Sequence, residues 1–338
     1  MKLFTTTRTL ALMTASVAAL ATVPADAQQL RLGDFQSTTH IVSKEGTTRW
    51  IAAVEEATEG AVTFQHFPSE QAARASALMD AVENGILDVA LVGTIYHGET
   101  LPMNSIVGLP GFYGSAVEGT KAIQAMLAEG PLRDEILETG VVPLFGFVLP
   151  PYQVLAQKRL GMPDDWRNLN IRTAGSTQAM TARSLGSVGV SIPGPEVYTA
   201  VERGRLDGIL FPLASVAAYN LQEVVTHISQ NGSFGGYSFV MVARKEMFEN
   251  LPEDVQLAMI EQGNEVALHV ARAQDDSIAG FLADWAAQGV DIYSLSDNEL
   301  EALSDAMTEV AEDWFNRIGR GSDTAREVLE RYRDLTGG

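Results

Sequence analysis

The sequence predicts an α/β protein with two lobes of similar size, joined by ordered strands and crossed by one long helix. Strand-like and helix-like stretches alternate in two separate series, over residues 30–92 and 170–211. This order is typical of α/β domains whose helices cover both faces of a mostly parallel sheet. The sequence between the two series contains no low-complexity tract or flexible linker, so we expect ordered strands to connect the lobes. A helical pattern without proline then covers about residues 253–288.

The first series is predicted from apolar periodicity and from the residues that stop each element. Trp50, Ile51 and Val54 share one face of an amphipathic helix, and Gly60 ends that helix in the left-handed position. A short apolar strand closes the series and is of the type buried in parallel sheets. The predicted elements are a strand near residues 30–32, a helix over 43–58, a strand over 62–67, a helix over 71–84 and a strand over 88–92.

The second series repeats this order, and two further stretches could carry the chain between lobes. Residues 141–155 are apolar and are interrupted by Pro150 and Pro151, while residues 232–243 are aromatic and glycine-rich before they become strand-like. The long helical pattern would span on the order of 50 Å at about 1.5 Å per residue, which is longer than one lobe. The predicted elements are a strand near residues 170–172, a helix over 177–185, a strand over 190–192, a helix over 196–203 and a strand over 207–211.

Residues 1–27 have the three parts of a secretory signal peptide. Lys2 and Arg8 provide a positive start, residues 10–20 are apolar, and small residues follow up to Ala27. The apolar run is shorter than the ~20 residues of a membrane-spanning helix. We therefore predict cleavage after Ala27 and a periplasmic location, with a buried N-terminal helix as the alternative.

The composition restricts both partners and chemistry. The formal net charge is −20, which disfavours nucleic acid and anionic lipid because both require basic patches. No segment after the signal peptide is apolar enough to suggest direct insertion into a membrane. The chain has no cysteine, which excludes disulfides, thiolate catalysis and sulfur-bound metal. A chain of this length can bury full cores without disulfides.

The sequence contains no recognisable catalytic motif. Its five histidines show no paired metal-ligand spacing, and there is no nucleophile elbow, phosphate-binding loop or convincing dinucleotide fingerprint. We therefore predict no catalytic residue, no metal and no cofactor, and a protein that is not an enzyme.

Arg172 is the strongest candidate for a ligand contact. It ends a predicted strand and is followed by Thr173-Ala174-Gly175 and then by a helix. Strand ends beside a helix N-terminus are where open α/β sheets bind anions, and an arginine matches a carboxylate with two parallel hydrogen bonds. Ser176 and Thr177 could contribute to the same site or could simply cap the helix.

The chain resembles the solute-binding proteins of TRAP (tripartite ATP-independent periplasmic) transporters in six segments that follow the family's order and spacing across nearly the whole mature chain. These segments are EEATEGAVTFQHFPSEQ from Glu55, AVENGILDVALVG from Ala81, VGLPGFYGS from Val107, MPDDWRNLNIRTAGS from Met162, PEVYTAVERGRLDGILFP from Pro195, and LPEDVQ from Leu251. Any one of them is weak evidence, whereas six in register are strong evidence.

This resemblance implies the two-lobed periplasmic binding protein fold, with hinge strands, a long helix spanning both lobes and a ligand enclosed between the lobes. It also implies that the family's carboxylate-binding arginine is Arg172. The segment from Glu196 to Ala200 matches the family's E-V-Y-x-A pattern and is interpreted as the start of a helix on the hinge side of the second lobe. The predicted lobes are residues 28–149 with about 237–276, and about 150–236 with 277–338.

Two departures from the family pattern indicate the ligand class. Where members for sialic acid or small dicarboxylates commonly have a second arginine, this chain has Tyr152, and Phe211 replaces an asparagine that holds the carboxylate. A second ligand carboxylate would then be buried without a cation, at a cost of several kcal/mol. We therefore predict a monocarboxylate with an apolar or aromatic body, with its acid group on Arg172. Its body would contact Tyr152, Phe211, Tyr96 and Phe234. The alternative for Phe211 and Tyr96 is an ordinary core position.

The combined prediction is a periplasmic solute-binding subunit that captures a small organic acid by closing two lobes and delivers it to a membrane permease. The alternatives are an exported lyase or hydrolase that acts on a small carboxylate with the help of Tyr152, and a binding protein that feeds a sensor kinase.

Overall fold

The computed structural model describes residues 27–337, which form two β-sheets with helices packed around them. The predicted signal peptide, except Ala27, lies outside the described residues. The strands are β1 (Gln28–Asp34), β2 (Val62–Phe67), β3 (Val89–Gly93), β4 (Val141–Val148), β5 (Gln153–Ala156), β6 (Asn170–Thr173), β7 (Val188–Ser191), β8 (Gly208–Phe211), β9 (His227–Ser229), β10 (Ser238–Arg244) and β11 (Asp291–Tyr293). The α-helices are α1 (Thr48–Ala57), α2 (Leu78–Glu83), α3 (Ala116–Ala128), α4 (Pro131–Glu138), α5 (Ser176–Ser184), α6 (Val197–Glu202), α7 (Leu213–Val216), α8 (Lys245–Glu249), α9 (Glu253–Ala287), α10 (Asp297–Met307), α11 (Val310–Asp313) and α12 (Asp323–Thr336).

The first sheet has the strand order β2-β1-β3-β10-β4. Strand β1 pairs in parallel with β2 and β3, and these three strands come from the predicted first series. Strand β10 re-enters this lobe after the chain has passed through the second sheet, and it runs antiparallel to both β3 and β4. The expected mostly parallel sheet is therefore mixed, because the strand that re-enters this lobe does so in the opposite direction.

The second sheet has the order β11-β9-β5-β8-β6-β7 and repeats this arrangement. Strands β6, β7 and β8 are parallel and come from the second series. Strand β5, which brings the chain into this lobe, runs antiparallel to β8 and β9. Each sheet thus contains one strand that enters it from a crossing between lobes, β10 in the first sheet and β5 in the second.

The chain crosses between the sheets twice, and the two crossings are hydrogen-bonded to each other. One crossing joins β4 to β5 and the other joins β9 to β10, within the two stretches that the sequence indicated. The amide of Leu149 donates to the carbonyl of Tyr237 at 2.9 Å, and the amide of Tyr152 donates to the carbonyl of Gly235 at 2.9 Å. These bonds confirm that ordered segments, rather than a flexible tether, join the lobes.

Helix α9 contains 35 residues and spans both lobes. At about 1.5 Å per residue it is roughly 50 Å long, and it contacts β4 and α3 in the first lobe and α7 and β11 in the second. Gly263 allows the close approach to the first sheet, because a Cβ atom there would lie 2.1 Å from the Phe145 ring. A Cβ atom at Gly280 would meet nothing within 4 Å.

The C-terminal segment divides between the lobes, which corrects part of the predicted division. Helix α10 contacts α5 in the second lobe, but α12 packs against α3 and α4 in the first. Helix α12 is amphipathic, and its Tyr332 stacks on Phe112 with ring centroids 5.0 Å apart. Arg331 also donates from Nη2 to the carbonyl of Ala125 at 2.9 Å. The apolar face of α12 is therefore buried by the first lobe, and not by the second.

The predicted helix over residues 71–84 is shorter in the structure. Only Leu78–Glu83 is α-helical, after one 3₁₀ turn at Ala75–Ala77. The Glu70 carboxylate accepts the Ala75 amide at 2.7 Å and Arg74 has an extended backbone, so the helix cannot continue towards residue 71. Among residues 27–337, every helix is too short or too polar to cross a bilayer.

Candidate functional site

A small cavity lies between the two lobes, and the packed side chains leave about 20 Å³ of free space in it. The strand ends of the two sheets and the crossing segments form its wall, and aromatic rings make up about half of the lining. The lining residues are Phe35, Gln36, Tyr96, Leu149, Tyr152, Arg172, Gly194, Phe211, Pro212, Ser215, Tyr219, Tyr237 and Phe239. A water molecule needs roughly 10–15 Å³ of such space, so a small organic acid would fit here only if the lobes or the lining side chains moved apart.

Arg172 lies at the end of β6, with β7 on one side and β8 on the other. The residue is only 1% exposed. Its Nε donates to the carbonyl of Ile192 at 2.8 Å, and its Nη1 donates to the carbonyl of Leu210 at 3.0 Å. The carbonyls at the ends of both neighbouring strands therefore fix the guanidinium.

The Arg172 guanidinium has hydrogen-bonding capacity that the protein leaves unused. A guanidinium carries five N–H groups; the two carbonyls engage two of them, and the Tyr152 hydroxyl lies within hydrogen-bonding reach of the same side chain. Within residues 27–337, no carboxylate forms an ion pair with this side chain. A buried charge without a counter-charge is costly, so the arrangement favours binding of an anion from outside the protein.

The turn after β6 brings the strand end close to the other lobe. Helix α5 begins at Ser176, directly after Gly175. A Cβ atom at Gly175 would lie 2.6 Å from the carbonyl oxygen of Ile95 in the first lobe. Glycine is required at this position because any side chain would separate the two lobes here.

Three of the predicted aromatic residues lie in the cavity with Arg172. The Phe211 ring lies under the guanidinium, with its centroid 5.0 Å from the Arg172 Cζ atom, and 6.3 Å from the Tyr152 ring centroid. Tyr96 reaches across from the first lobe, and its hydroxyl accepts the Gly194 amide at 2.9 Å. Burial raises the pKa of the Tyr152 phenol, so this group stays protonated and can donate to an anion.

The fourth predicted aromatic residue, Phe234, does not line the cavity. Its ring packs on Trp166 with a centroid distance of 5.2 Å, and the residue is 1% exposed. Its backbone instead contributes to the crossing, since its amide donates to the carbonyl of Tyr152 at 3.1 Å. Phe234 is therefore a core residue beneath the hinge.

The cavity also includes residues that the sequence did not single out. The Tyr219 hydroxyl of the second lobe donates to the Gln36 side-chain oxygen of the first. Tyr237 and Phe239 come from the aromatic crossing stretch, and Gln36 follows the first strand. The signal available in the sequence was the position of Gln36, because residues just after parallel strands face the crevice of an α/β sheet.

A cluster of buried titratable groups lies beneath the first-lobe wall of the cavity. Asp34 accepts the Gln36 amide at 2.9 Å and the Thr47 hydroxyl at 2.8 Å, and burial raises the pKa of its carboxyl to about 6. Burial lowers the pKa of the His40 imidazole to about 3. The pKa of His66, whose Nε2 lies 3.9 Å from the Asp34 carboxylate, is also lowered by burial. The two histidines are therefore neutral at pH 7.

The histidine and carboxylate side chains do not form a metal site in the described residues. In the part of the chain that the structure describes, no group of three or more histidine and carboxylate side chains is arranged to hold a metal ion.

The sequence matches the family model described as bacterial extracellular solute-binding protein, family 7, over residues 32–318. One relative is the 2,3-diketo-L-gulonate-binding periplasmic protein YiaO of Escherichia coli. It is 26% identical over 337 residues, which cover 95% of this chain and 98% of the relative.

Solved structures of similar proteins share the fold. A TRAP solute-binding protein from Rhodoferax ferrireducens, in complex with co-purified benzoate, superposes with a TM-score of 0.85 at 20% identity and covers 91% of this chain and 97% of that protein. A TRAP periplasmic solute-binding protein from Bordetella bronchiseptica, with bound (R)- and (S)-mandelate, has a TM-score of 0.83 at 22% identity and covers 91% of this chain and 98% of that protein. These similarities confirm the predicted two-lobed fold.

Proposed function

This chain belongs to the family 7 bacterial extracellular solute-binding proteins, as its resemblance to the TRAP proteins implied, and on that premise we propose that it captures a small monocarboxylate between its lobes. Arg172 binds the carboxylate, and Tyr152, Phe211 and Tyr96 enclose an apolar or aromatic body. The closed protein then delivers the acid to a membrane permease.

The observation that carries this proposal is the environment of Arg172. Its guanidinium is buried in the cavity between the lobes and is positioned by two backbone carbonyls. Three of its five N–H groups remain after those two bonds. Two of them can form the parallel pair of charge-assisted hydrogen bonds that a carboxylate accepts.

The rest of the cavity supports a single acid group and an apolar body. Of the thirteen lining residues, Arg172 alone carries a charge. A second carboxylate would therefore be desolvated without a counter-charge, at a cost of several kcal/mol. The rings of Phe35, Phe211 and Phe239 offer apolar contact surface instead.

The structural relatives support the same class of ligand. The Rhodoferax protein contains benzoate and the Bordetella protein contains mandelate, and both compounds are aromatic monocarboxylates. The E. coli relative binds 2,3-diketo-L-gulonate, which is also a single acid.

Export and delivery follow from the family and from the N-terminal sequence. We propose that residues 1–27 are a signal peptide that is cleaved after Ala27, and that the mature protein acts in the periplasm. The lobes that close on the ligand are those predicted from the sequence, except that α12 belongs with the first lobe.

Isothermal titration calorimetry of residues 28–338 tests the proposed ligand class. Benzoate, phenylacetate and mandelate should bind, whereas succinate and sialic acid should not. A bound acid at 100 times its dissociation constant should stabilise the fold by about 2.7 kcal/mol, which a thermal unfolding scan detects. Binding of only dicarboxylates or sialic acid would refute the ligand class, and conversion of a bound acid to a product would favour the enzyme alternative.

A further inference from the structure

Two hydroxyl groups in the wall of the cavity have no hydrogen-bond partner. They are the Oγ of Ser215 and the phenol oxygen of Tyr237, and within residues 27–337 neither atom forms a hydrogen bond of ordinary geometry, although the Tyr237 phenol lies beside that of Tyr96. Both residues are 2% exposed. Buried polar groups are almost always hydrogen-bonded, and leaving a hydroxyl unpaired costs free energy. Two unpaired hydroxyls in one small cavity therefore require an explanation.

Two other hydroxyls of the cavity, those of Tyr96 and Tyr219, show a contrasting arrangement. Tyr219 donates to Gln36, and Tyr96 accepts the amide of Gly194. Those two bonds join one lobe to the other and are complete without a ligand. Ser215 and Tyr237 are thus left with the capacity to bind something that enters the cavity.

The position of the Tyr237 hydroxyl depends on a glycine. A Cβ atom at Gly93 would lie 1.6 Å from this oxygen, so any side chain at position 93 would displace it. The ring itself packs against Tyr96 with centroids 5.3 Å apart. Ser215 approaches from the second lobe, in the short helix that follows β8. One unpaired hydroxyl therefore belongs to the second lobe and the other to the crossing segment that enters the first.

We propose that the ligand carries an uncharged oxygen substituent, a hydroxyl or a carbonyl, which binds Ser215 and Tyr237 while the carboxylate binds Arg172. This inference rests on the proposed function and specifies the substrate class as oxygenated aromatic monocarboxylates. A serine or tyrosine hydroxyl can donate to either kind of oxygen and can also accept from a ligand hydroxyl. The substituent is uncharged because Arg172 is the only charged residue in the lining.

The test compares matched acids that differ only in the oxygen substituent. Mandelate and phenylglyoxylate are compared with phenylacetate, and 3-hydroxybenzoate is compared with benzoate, by calorimetry on the mature chain. We expect the oxygenated acid of at least one pair to bind roughly ten- to a hundredfold more tightly, because the acid without the substituent leaves the buried hydroxyls unpaired. The two pairs distinguish a substituent beside the carboxylate from one on the ring.

Two substitutions locate the effect. Ser215→Ala and Tyr237→Phe should each reduce the preference for the oxygenated acid over its unsubstituted partner by about tenfold. Ser187→Ala is the matched control, since the Ser187 hydroxyl is buried in the same lobe but donates to the carbonyl of Trp166. It should lower the melting temperature without changing the preference, whereas Ser215→Ala should not lower the melting temperature.

The possible outcomes separate this inference from the proposed function. Equal affinities within both pairs, or a preference that both variants retain, would overturn the oxygen-substituent inference. Phenylacetate or benzoate binding that is lost in Arg172→Met would nevertheless preserve the proposed function. Absence of binding by every acid would instead reject the proposed function itself.

Discussion

Replacing Arg172 by methionine removes the charge and all five donors of the guanidinium but retains an unbranched side chain of comparable length. In the structure, Nε and Nη1 bond the carbonyls of Ile192 and Leu210, and the remaining N–H groups are available to a ligand. The substitution therefore removes both the anion-binding groups and two internal hydrogen bonds. These two losses affect different measurements, ligand affinity and protein stability.

The loss of affinity can be worked out from the two hydrogen bonds to the carboxylate. Each charge-assisted bond contributes about 1.5–3 kcal/mol, and truncating one partner of a buried charged pair costs about 2–5 kcal/mol. At about 1.4 kcal/mol per decade, the dissociation constant should rise roughly 30-fold to several thousand-fold. Arg172→Lys should have an intermediate effect, because an ammonium has three donors and two carbonyls compete with the ligand for them.

The stability of the ligand-free protein should change much less. Losing the bonds to Ile192 and Leu210 is destabilising, but removing a buried charge without a counter-charge is stabilising. We expect the free energy of unfolding to change by no more than about 1–2 kcal/mol, since the two terms oppose each other. The variant should therefore fold, and its binding can be measured directly.

Calorimetry with an aromatic monocarboxylate measures the affinity, and urea denaturation measures the stability. Arg167→Met is the control, because the Arg167 side chain is 71% exposed and its ion pair with Asp164 lies on the surface. It should bind the acid normally. A dissociation constant for Arg172→Met within threefold of the wild type would refute the assignment of this arginine.

Three further predictions concern the rest of the molecule. His40→Asn should make the free energy of unfolding depend less on pH between pH 7 and 5. The imidazole of His40 has a pKa of about 6.5 in the unfolded chain but only about 3 in the folded protein, so it binds a proton in this range only when the chain is unfolded. Acid therefore lowers the free energy of unfolding of the wild type, by about 2 kcal/mol at pH 5 from this residue. Gly263→Ala should destabilise α9 by about 1–3 kcal/mol through overpacking, whereas Gly280→Ala should stabilise it by about 0.5–1 kcal/mol; urea denaturation measures both. Tyr219→Phe removes a hydrogen bond between the lobes and should speed ligand dissociation roughly three- to tenfold in stopped-flow experiments.

Each of these has a clear contrary result. An unchanged pH dependence of unfolding in His40→Asn would show that this histidine is not the group that titrates. Asp34 has the opposite effect on stability: because its pKa is raised in the folded protein, the folded state binds a proton before the unfolded state does, and acidification from about pH 6 to 4 stabilises the fold through this group. Equal effects of the two glycine substitutions would contradict the close packing at Gly263. An unchanged dissociation rate in Tyr219→Phe would show that its bond to Gln36 does not hold the lobes closed.

The elements with strong periodicity were predictable from the sequence. The strand predicted over residues 62–67 has those bounds in the structure, and the long helix deviates by a single residue at its C-terminal end. Apolar alternation and the 3.6-residue repeat are local patterns. Pro68 follows the end of the strand, and Pro252 precedes the start of the long helix. The length of the helix before Gly85 was overestimated, because the Glu70 carboxylate accepts the Ala75 amide and so competes with the helical hydrogen bonds of the expected first turns.

The sequence alone determined the nature of this protein: two α/β lobes, a long helix across both, and an arginine at the end of a second-lobe strand. These depend on short-range patterns, and the family segments reinforce them. Only the tertiary structure decided which aromatic rings surround that arginine. Phe234 turned into the core and Tyr219 into the cavity, where it meets Gln36 from 183 residues away in the chain. Residues in irregular segments have no period that predicts their direction, so long-range packing between the two lobes sets it.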